Sequence, residues 1–375
     1  MITIPFMRPR LTGPRFESHA IPLEVLKDLA VIEEMIIEVA KWKFLQAHPE
    51  RRRSPRRFTE GIELKLTGVE DGSAVPVISL FVASASLFPP DSQAYLEAAR
   101  EAFIGAITAA EQNKPITEHL PEKALSYFDR IGRSLREGEA MEFTAPSSTA
   151  PARLTRETRR KLVFASATAR SLTEETALRG LIPEADQDDM TFEIQLADGR
   201  KIRAPLGTQY LEAVLEAFNG YKSGVRVLVD GIGRFNRSER LQGLDSVEHV
   251  TLLDPLDVSA RLDELRLLKD GWLEGKGTAP SRSGLDWLAQ AFSEHFPDDL
   301  RLPFLYPDEG GGVQAEWSLP PYEITLEIDL VGRRGEWHEL NLGTEAEELK
   351  ELPLDEPQGW QWLAERLRGM PSATA

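Results

Sequence analysis

The 375-residue sequence contains no cysteine. This absence excludes a disulfide framework, a cysteine-ligated zinc site, an iron–sulfur cluster and a cysteine nucleophile. No apolar run reaches the roughly 18 residues that a membrane-spanning helix needs. The amino terminus also lacks the apolar core and cleavage site of a signal peptide. We therefore expect a cytoplasmic protein without a membrane partner.

Catalytic motifs are equally scarce. The six histidines are scattered, and neither an HExxH pattern nor a histidine pair at i, i+4 occurs. There is no GxSxG nucleophile elbow and no P-loop. The glycines of segment 230–234 lack the third glycine of a dinucleotide fingerprint and precede a predicted strand rather than a helix. The sequence therefore predicts no cofactor and favours a non-enzymatic protein.

What the chain does have is an excess of acidic residues. Its formal net charge is −17. Residues 256–375 contain 24 acidic and 11 basic side chains, so this last third contributes most of the negative charge. A strongly negative surface repels nucleic acid at long range and attracts basic partners. Binding to a basic protein partner, or a need for solubility alone, explains the negative charge of residues 256–375.

The length predicts two or three domains, and the pattern predicts an α+β fold with three. In the first, residues 1–145, apolar positions recur at helical spacing after Pro22. Alternating apolar residues from Ile62 and a turn at Asp71-Gly72 predict a β-hairpin packed on that helix. Two further helices are predicted over about 92–112 and 121–135. The composition of segment 145–152 is that of a linker.

The middle domain is predicted over residues 153–255. A basic helix precedes strands and one further helix in the order β-β-β-α-β-β. Short strands with tight turns and a single helix predict a small closed or partly open barrel. This order matches the barrel that binds oligonucleotides and oligosaccharides.

The third domain, residues 256–375, is acidic and rich in tryptophan. Two helices are predicted over about 257–269 and 284–295, and a closing helix over about 357–369. Between them we expect a meander of four strands, over about 301–306, 313–319, 322–330 and 335–341. The predicted domain is therefore a β-meander flanked by helices.

Acidic side chains alternate with apolar ones along the strands of this meander. Glu316, Glu327 and Asp329 are placed on the face opposite the apolar positions. A metal-dependent hydrolase would use three such carboxylates as metal ligands, although no lysine accompanies them. A half-exposed strand also generates an acidic solvated face by alternation alone. Both interpretations stay open at the level of sequence.

The segments "LKDGWLEGKGTAPS" and "PDEGGGVQAEWS…YEITLEID" resemble a bacterial domain of unknown function. Its pattern is a Gly-Trp-x-x-Gly-x-Gly turn, a helix, and a Gly-Gly-Val-x-x-Glu-Trp stretch that leads into a hairpin. The matching positions are Gly271, Trp272, Gly275, Gly277, Gly311, Gly312, Val313, Glu316 and Trp317. The resemblance covers roughly 90 residues. It implies an association with mobile, defence or toxin–antitoxin genes, and no catalytic residue.

Two groups of basic residues are candidates for phosphate contact. The first is the run Arg51, Arg52, Arg53, Arg56 and Arg57. The second is the helix before the barrel, with Arg153, Arg156, Arg159, Arg160 and Lys161, extended by Arg200, Lys201 and Arg203 on the strands. Barrels of this kind stack single-stranded bases on aromatic rings. Here the strands offer only Phe192 and Phe235.

Six of the seven tryptophans lie between residues 272 and 362. Tryptophan is enriched both in cores and at binding hot spots. Trp360 and Trp362 are two positions apart, so they cannot both face one side of a helix. At least one of them is a candidate contact for a protein partner.

The hypothesis that the sequence favours is a non-enzymatic adaptor or partner-binding subunit of a bacterial system, of defence or toxin–antitoxin type. A nucleic-acid-binding protein that uses the barrel and the arginine run is the first alternative. A metal-dependent hydrolase is the second.

Overall fold

The computed structural model describes residues 2–17, 20–56, 58–70, 74–82, 91–146 and 148–371. Within these ranges the chain forms eight α-helices and 16 strands, which confirms the predicted α+β class. None of the described helices is long and apolar enough to cross a bilayer.

The N-terminal elements are β1 (Ile2–Met7), β2 (Arg10–Thr12), α1 (Leu23–Ala47), β3 (Ile62–Glu70), β4 (Val75–Val82), α2 (Asp91–Glu111), α3 (Glu122–Leu125), β5 (Ala140–Phe143), β6 (Ala152–Leu154) and α4 (Arg156–Phe164). The strands form two three-stranded sheets, in the orders β1-β4-β3 and β2-β5-β6. The long helix after Pro22 and the predicted hairpin strands are both present. The Asp71-Gly72 turn lies outside the described residues.

Two N-terminal predictions need correction. The helix predicted over 121–135 is limited to α3 and a short 3₁₀ turn at Ser126–Asp129. Its continuation to residue 135 is excluded by Gly132, whose φ of 76° does not fit a right-handed helix. The segment taken as a linker joins two paired strands, since Met141 of β5 lies opposite Leu154 of β6. Ala145 and Ala152, at its two ends, are buried in the same core as helix α4.

A buried ion cluster ties the N-terminus to the segment before β5. The Arg15 guanidinium donates to both carboxylate oxygens of Glu139, at 2.6 Å each, and also contacts Glu24. Burial by itself would raise the pKa of the Glu139 carboxyl. The hydrogen bonds from Arg15 and from the Arg136 amide outweigh burial and hold that pKa below its ordinary value of 4.5.

Acid should therefore destabilise the protein through Glu139. Because its folded-state pKa lies below the unfolded one, the carboxylate stabilises the fold above pH 4.5. That contribution is lost as the pH falls through the folded-state value. We expect urea unfolding to show a steeper loss of stability for the wild type than for Glu139→Gln between about pH 5 and pH 3. Parallel pH profiles for the two proteins would contradict this assignment.

The middle elements are β7 (Ser171–Asp186), β8 (Thr191–Gln195), β9 (Lys201–Pro205), α5 (Leu211–Asn219), β10 (Arg226–Asn236) and β11 (Leu241–Leu252). They follow the predicted order β-β-β-α-β-β. The strands form one curled sheet in the order β11-β10-β7-β8-β9. Closure into a full barrel would require β9 to pair with β11, and this pair is absent from the described sheet order. The structure is therefore a half-barrel.

The C-terminal elements are α6 (Val258–Leu265), α7 (Arg282–His295), β12 (Phe304–Pro307), β13 (Val313–Leu319), β14 (Tyr322–Asp329), β15 (Arg334–Asn341), β16 (Ala346–Pro353) and α8 (Pro357–Arg368). The strands form a five-stranded antiparallel meander, the C-terminal sheet, in sequence order. Strand β16 was not predicted, because its sequence AEELKELP is largely polar. It is an exposed edge strand, and only Leu352 among its side chains is buried.

The residue contacts divide the chain into two compact units. The first contains the residues up to Thr176 together with 232–245, and the second contains 177–231 together with the residues from 246 onward. The divisions pass through the long strands β7, β10 and β11. The three-domain division at 1–145, 153–255 and 256–375 stays a prediction.

Candidate functional site

The C-terminal sheet has two chemically different faces. Val313, Ala315 and Trp317 of β13 point into a core that also contains apolar side chains of α6, α7 and α8. The strand registers place the alternate residues on the opposite face. We call this opposite face the open face. Its described side chains are Phe304, Tyr306, Gln314, Glu316, Ser318, Glu323, Thr325, Glu327, Asp329, Arg334, Glu336, His338, Leu340, Glu347, Leu349 and Glu351.

No layer of described residues covers the open face, because each of its side chains is exposed or only half-buried. It carries seven carboxylates and one arginine. The carboxylates belong to Glu316, Glu323, Glu327, Asp329, Glu336, Glu347 and Glu351. Glu316 accepts a hydrogen bond from Gln314 at 2.6 Å. Within the described part of the chain no ion pair neutralises any of the seven. The open face is therefore strongly negative.

Three of these glutamates stand directly beside one another. Glu327 of β14 lies opposite Glu336 of β15, and Glu336 lies opposite Glu351 of β16. We call these three residues the glutamate row. Like charges directly opposite one another destabilise a sheet. The row is thus unfavourable in the free protein, and a cationic group placed against it would relieve the repulsion.

Exposed apolar side chains lie on the same face. Phe304 and Tyr306 of the edge strand β12 are 50% and 43% exposed, and Leu349 of β16 is 74% exposed. Phe304 and Glu316 also line a cleft of about 800 Å³ beside the carboxyl end of α7. Large aromatic side chains are the usual anchors of protein interfaces. The open face combines such anchors with a negative field.

Removing one charge from the glutamate row should stabilise the free protein. We expect Glu336→Gln to raise the free energy of unfolding by about 0.5 kcal/mol at low salt, because two like-charge pairs disappear. The gain should shrink in high salt, where screening already weakens the repulsion. Urea unfolding at two ionic strengths measures both effects. An unchanged or lower stability at low salt would show that the row carries no repulsion.

The carboxylates proposed as metal ligands do share the open face but do not converge. Glu316 lies opposite Thr325, and Glu327 opposite Gln314. Asp329 instead closes the following turn, where its carboxylate accepts the Val331 N–H at 2.8 Å. Hydrogen bonds from the Gly332 and Val331 amides hold the pKa of Asp329 below its usual value. Within the described ranges no group of three His, Asp or Glu side chains is arranged to hold a metal ion.

The two tryptophans proposed as partner contacts face opposite environments, as their spacing requires. Trp360 is 2% exposed, and its Nε1 donates to the Leu354 carbonyl at 2.8 Å. It is therefore a core residue rather than a partner contact. Trp362 is half-buried, with the Lys350 ammonium 4.1 Å from its ring centroid. It lies on the helix-covered side of the sheet, away from the open face.

The basic helix α4 does not present a free cationic surface. Arg159 is 1% exposed and donates to three backbone carbonyls, so it is a structural residue. Arg156 pairs with Glu174, and Arg160 with Glu239 at 3.3 Å. Lys161 pairs with Glu157 on the same helix at 2.7 Å, and Arg153 pairs with Glu142 at 3.2 Å.

Most of the half-barrel residues proposed for single-strand contact are paired or buried, and only Phe235 among them is a half-buried ring. Its basic residues Lys201 and Arg203 pair with Glu193 and Asp189, at 3.0 and 3.5 Å, and Arg200 pairs with Asp198. Phe192 is 1% exposed and cannot serve as a stacking platform. The end of β7 and the turn that follows it contain Asp186, Asp188 and Asp189, so this end of the half-barrel is acidic.

The arginine run differs from the basic helix. Arg52, Arg53 and Arg56 are exposed and have no ion pair among the described residues. Arg51 lies 3.9 Å from Glu50 and stacks over the Phe44 ring, 5.6 Å from its centroid. Arg57 lies outside the described residues. The run is therefore an exposed cationic patch of the first unit.

The two halves of the resembling sequence pattern meet in space. Gly271, Gly275 and Gly277 adopt φ values of 83°, 88° and 83°, which other residues resist. The Thr278 N–H then donates to the Glu309 carbonyl at 2.9 Å, joining this loop to the turn before β13. These glycines shape the backbone and carry no reactive group.

Sequence reasoning missed several residues of the open face, namely Phe304, Tyr306, Glu336 and Leu349. The alternation in Phe304-Leu305-Tyr306 could have identified the two exposed aromatic residues, because only Leu305 points into the core. Comparisons of the chain with protein-family models, with curated proteins and with solved structures find no match. The function proposed below therefore rests on the geometry of the described residues.

Proposed function

We propose that this protein is a non-enzymatic binding subunit that captures a basic protein partner on its open face. One observation carries the proposal. The second side of the C-terminal sheet is uncovered, and it presents seven carboxylates and one arginine around the exposed rings of Phe304 and Tyr306.

The physical basis of capture has two parts. Unpaired carboxylates produce a negative field that steers a positively charged surface toward the sheet and raises the association rate. Exposed aromatic side chains then contribute affinity by burying apolar area. A β-sheet supported by three helices holds both kinds of group in fixed positions, so little conformational entropy is lost on binding.

The same charges argue against nucleic acid as the occupant of this face. Phosphate groups would be repelled by the glutamate row, and affinity for nucleic acid depends on cationic side chains. The resemblance of the C-terminal region that contains Gly271 and Trp317 to a bacterial domain associated with defence and toxin–antitoxin genes extends the proposal. It makes the partner a component of such a system, which this chain would bind rather than modify.

Photo-crosslinking in the source cells tests the proposal. Tyr306→p-benzoylphenylalanine should form a covalent adduct with a partner that has a basic surface. The same substitution at Phe218, which is exposed on α5, serves as the control position. A partner that crosslinks equally at both positions, or at Phe218 alone, would overturn the assignment of the face.

Charge variants then measure the contribution of the open face with the purified partner. Glu327→Gln/Glu336→Gln/Glu351→Gln should weaken binding at least tenfold, and the loss should diminish in high salt. A matched triple, Glu212→Gln/Glu216→Gln/Glu248→Gln, removes the same charge from exposed positions off the face. Its affinity should change less than about twofold. Equal losses in both triples would show that only net charge matters.

The arginine run supports a second function, nucleic-acid contact in the first unit, because Arg52, Arg53 and Arg56 are exposed and form no ion pair with another described residue. Arg52→Glu/Arg53→Glu should abolish binding to single-stranded RNA or DNA in a fluorescence anisotropy assay. The wild-type affinity should fall steeply with salt. Arg200→Glu/Arg203→Glu on the half-barrel is the control, and an equal loss there would place the contact elsewhere.

A further inference from the structure

Strand β3 is an exposed edge of the first unit. In the sheet order β1-β4-β3, no described strand pairs with its outer side. The Leu64 N–H donates to the Glu33 carboxylate at 3.4 Å, which shows that this amide points away from β4. Ile62, Leu64 and Leu66 therefore direct their backbone groups outward, since backbone direction alternates along a strand. The Ile62 N–H is taken by the Thr59 carbonyl at 3.1 Å, so Ile62 offers its carbonyl alone to an added strand. An edge of this kind is a template for pairing with another strand.

The other edge of the same sheet is protected. Strand β1 contains Pro5, which has no N–H to donate, and its register shifts between Pro5 and Met7. Strand β3 contains no proline between Ile62 and Glu70. Only a register shift between Leu66 and Gly68 interrupts it. The segment 62–66 is thus the part of this sheet that is open to strand addition.

An apolar groove accompanies this edge. Leu26 and Ala30 of α1, together with Leu64 and Leu66 of β3, line a cavity of about 300 Å³. Leu66 is 50% exposed. A strand added to β3 would place its own apolar side chains against this groove, because one side of each strand faces the helix. The groove and the free backbone together specify an extended, alternating apolar segment as the occupant.

The sequence of the edge is complementary to itself. Residues 62–66 read Ile-Glu-Leu-Lys-Leu. If two copies pair antiparallel with Leu64 opposite Leu64, then Glu63 of each copy, which pairs with Lys65 of its own chain at 2.5 Å, also lies opposite Lys65 of the other. Ile62 then lies opposite Leu66, so the apolar side is matched as well. A twofold axis at Glu63 or Lys65 would instead place two like charges opposite each other. It would also centre the pairing on a residue whose backbone N–H and C=O point toward β4 rather than outward.

We propose that the protein forms a homodimer in which the β3 strands of two copies pair antiparallel about Leu64. The two three-stranded sheets then become one continuous sheet. In the dimer the Leu64 N–H donates to the carbonyl of the partner's Leu64 instead of making its long hydrogen bond to the Glu33 carboxylate. The register shift after Leu66 limits the pairing to residues 62–66. This interface lies in the first unit and is independent of the open face of the C-terminal sheet.

Charge exchange across the pair tests the dimer. We expect sedimentation velocity of the full chain, up to about 100 µM, to show a dimer for the wild type. Glu63→Lys and Lys65→Glu should each raise the dimer dissociation constant at least tenfold, because each creates two like-charge oppositions. The double variant Glu63→Lys/Lys65→Glu restores opposite charges and should return to within about threefold of the wild type.

The double variant separates the interface from a folding defect, because it carries both substitutions and should still dimerise. Lys114→Glu, at an exposed position elsewhere in the first unit, should leave the dissociation constant unchanged. A wild-type chain that stays monomeric throughout the concentration range would overturn the proposal. A dimer that tolerates both single substitutions, or that the double substitution does not restore, would overturn it equally.

Discussion

Replacing Arg159 by methionine should lower the free energy of unfolding of the first unit by about 3–5 kcal/mol, the cost of removing one member of a buried charged network. The guanidinium is 1% exposed and donates to the carbonyls of Phe128, Asp129 and Thr173, at 2.6 to 2.8 Å. Methionine fills a similar volume but removes all three of these hydrogen bonds, and only the Asp129 carbonyl keeps a side-chain donor, the Thr173 hydroxyl at 3.3 Å. Burial lowers the pKa of Arg159 to about 10, while Asp129 and Glu174 oppose that change. The group is therefore still charged at neutral pH.

Chemical denaturation monitored by circular dichroism measures the Arg159 effect. Lys161→Met on the same helix is the matched control, because it removes a positive charge from an exposed pair with Glu157. We expect its unfolding midpoint to match that of the wild type. Arg159→Lys should recover little, since a lysine lacks the planar fork that reaches several carbonyls at once. A wild-type midpoint for Arg159→Met would show that the network contributes no stability.

Replacing Trp360 by alanine should destabilise the second unit by about 3–5 kcal/mol, the usual cost of truncating a buried aromatic side chain. The Trp360 ring packs edge-on against Phe292, with centroids 4.9 Å apart. Its Nε1 hydrogen bond to the Leu354 carbonyl is also lost, which leaves a buried acceptor unpaired.

Trp362→Ala is the matched comparison two residues away. Its half-buried ring contacts Trp337 edge-on, at 5.6 Å between centroids, and lies under the Lys350 ammonium. We expect a loss of about 1 kcal/mol, because less apolar area leaves a buried environment. Thermal unfolding of both variants distinguishes the two positions. Equal losses would contradict the core assignment of Trp360.

This comparison also changes how a binding test on the two tryptophans should be interpreted. Weaker partner binding by Trp360→Ala would follow from unfolding of the second unit and would not locate an interface. Because neither ring lies on the open face, the variants of Tyr306 and of the glutamate row are the informative ones.

The most predictable part of the chain was the C-terminal meander. Strand β13 was predicted with its observed bounds, and β14 within one residue, because alternation of apolar and polar side chains directly records which face of a strand is buried. The same alternation placed Glu316, Glu327 and Asp329 together on the solvent side. The alternation could not predict that Glu336 and Glu351 lie beside these residues, because strand register depends on pairing across the sheet.

Five strands were not predicted, namely β1, β2, β5, β6 and β16. Strand β16 has no buried alternation, and β1, β2, β5 and β6 acquire their pairing from distant parts of the chain. No sequence pattern predicted which charged side chain would be buried. Arg159 stands in a helix with three other basic residues, and only the packing of α4 against the segment around Phe128 distinguishes it from them.

By itself, the sequence determined the α+β class, the strand and helix order of the half-barrel, and the acidic character of the C-terminal third. These properties depend on local periodicity and on composition. Only the tertiary structure decided which bases are neutralised, which tryptophan is buried, and which side of the sheet is left uncovered. Those outcomes depend on contacts between residues far apart in the chain, and local patterns do not encode such contacts.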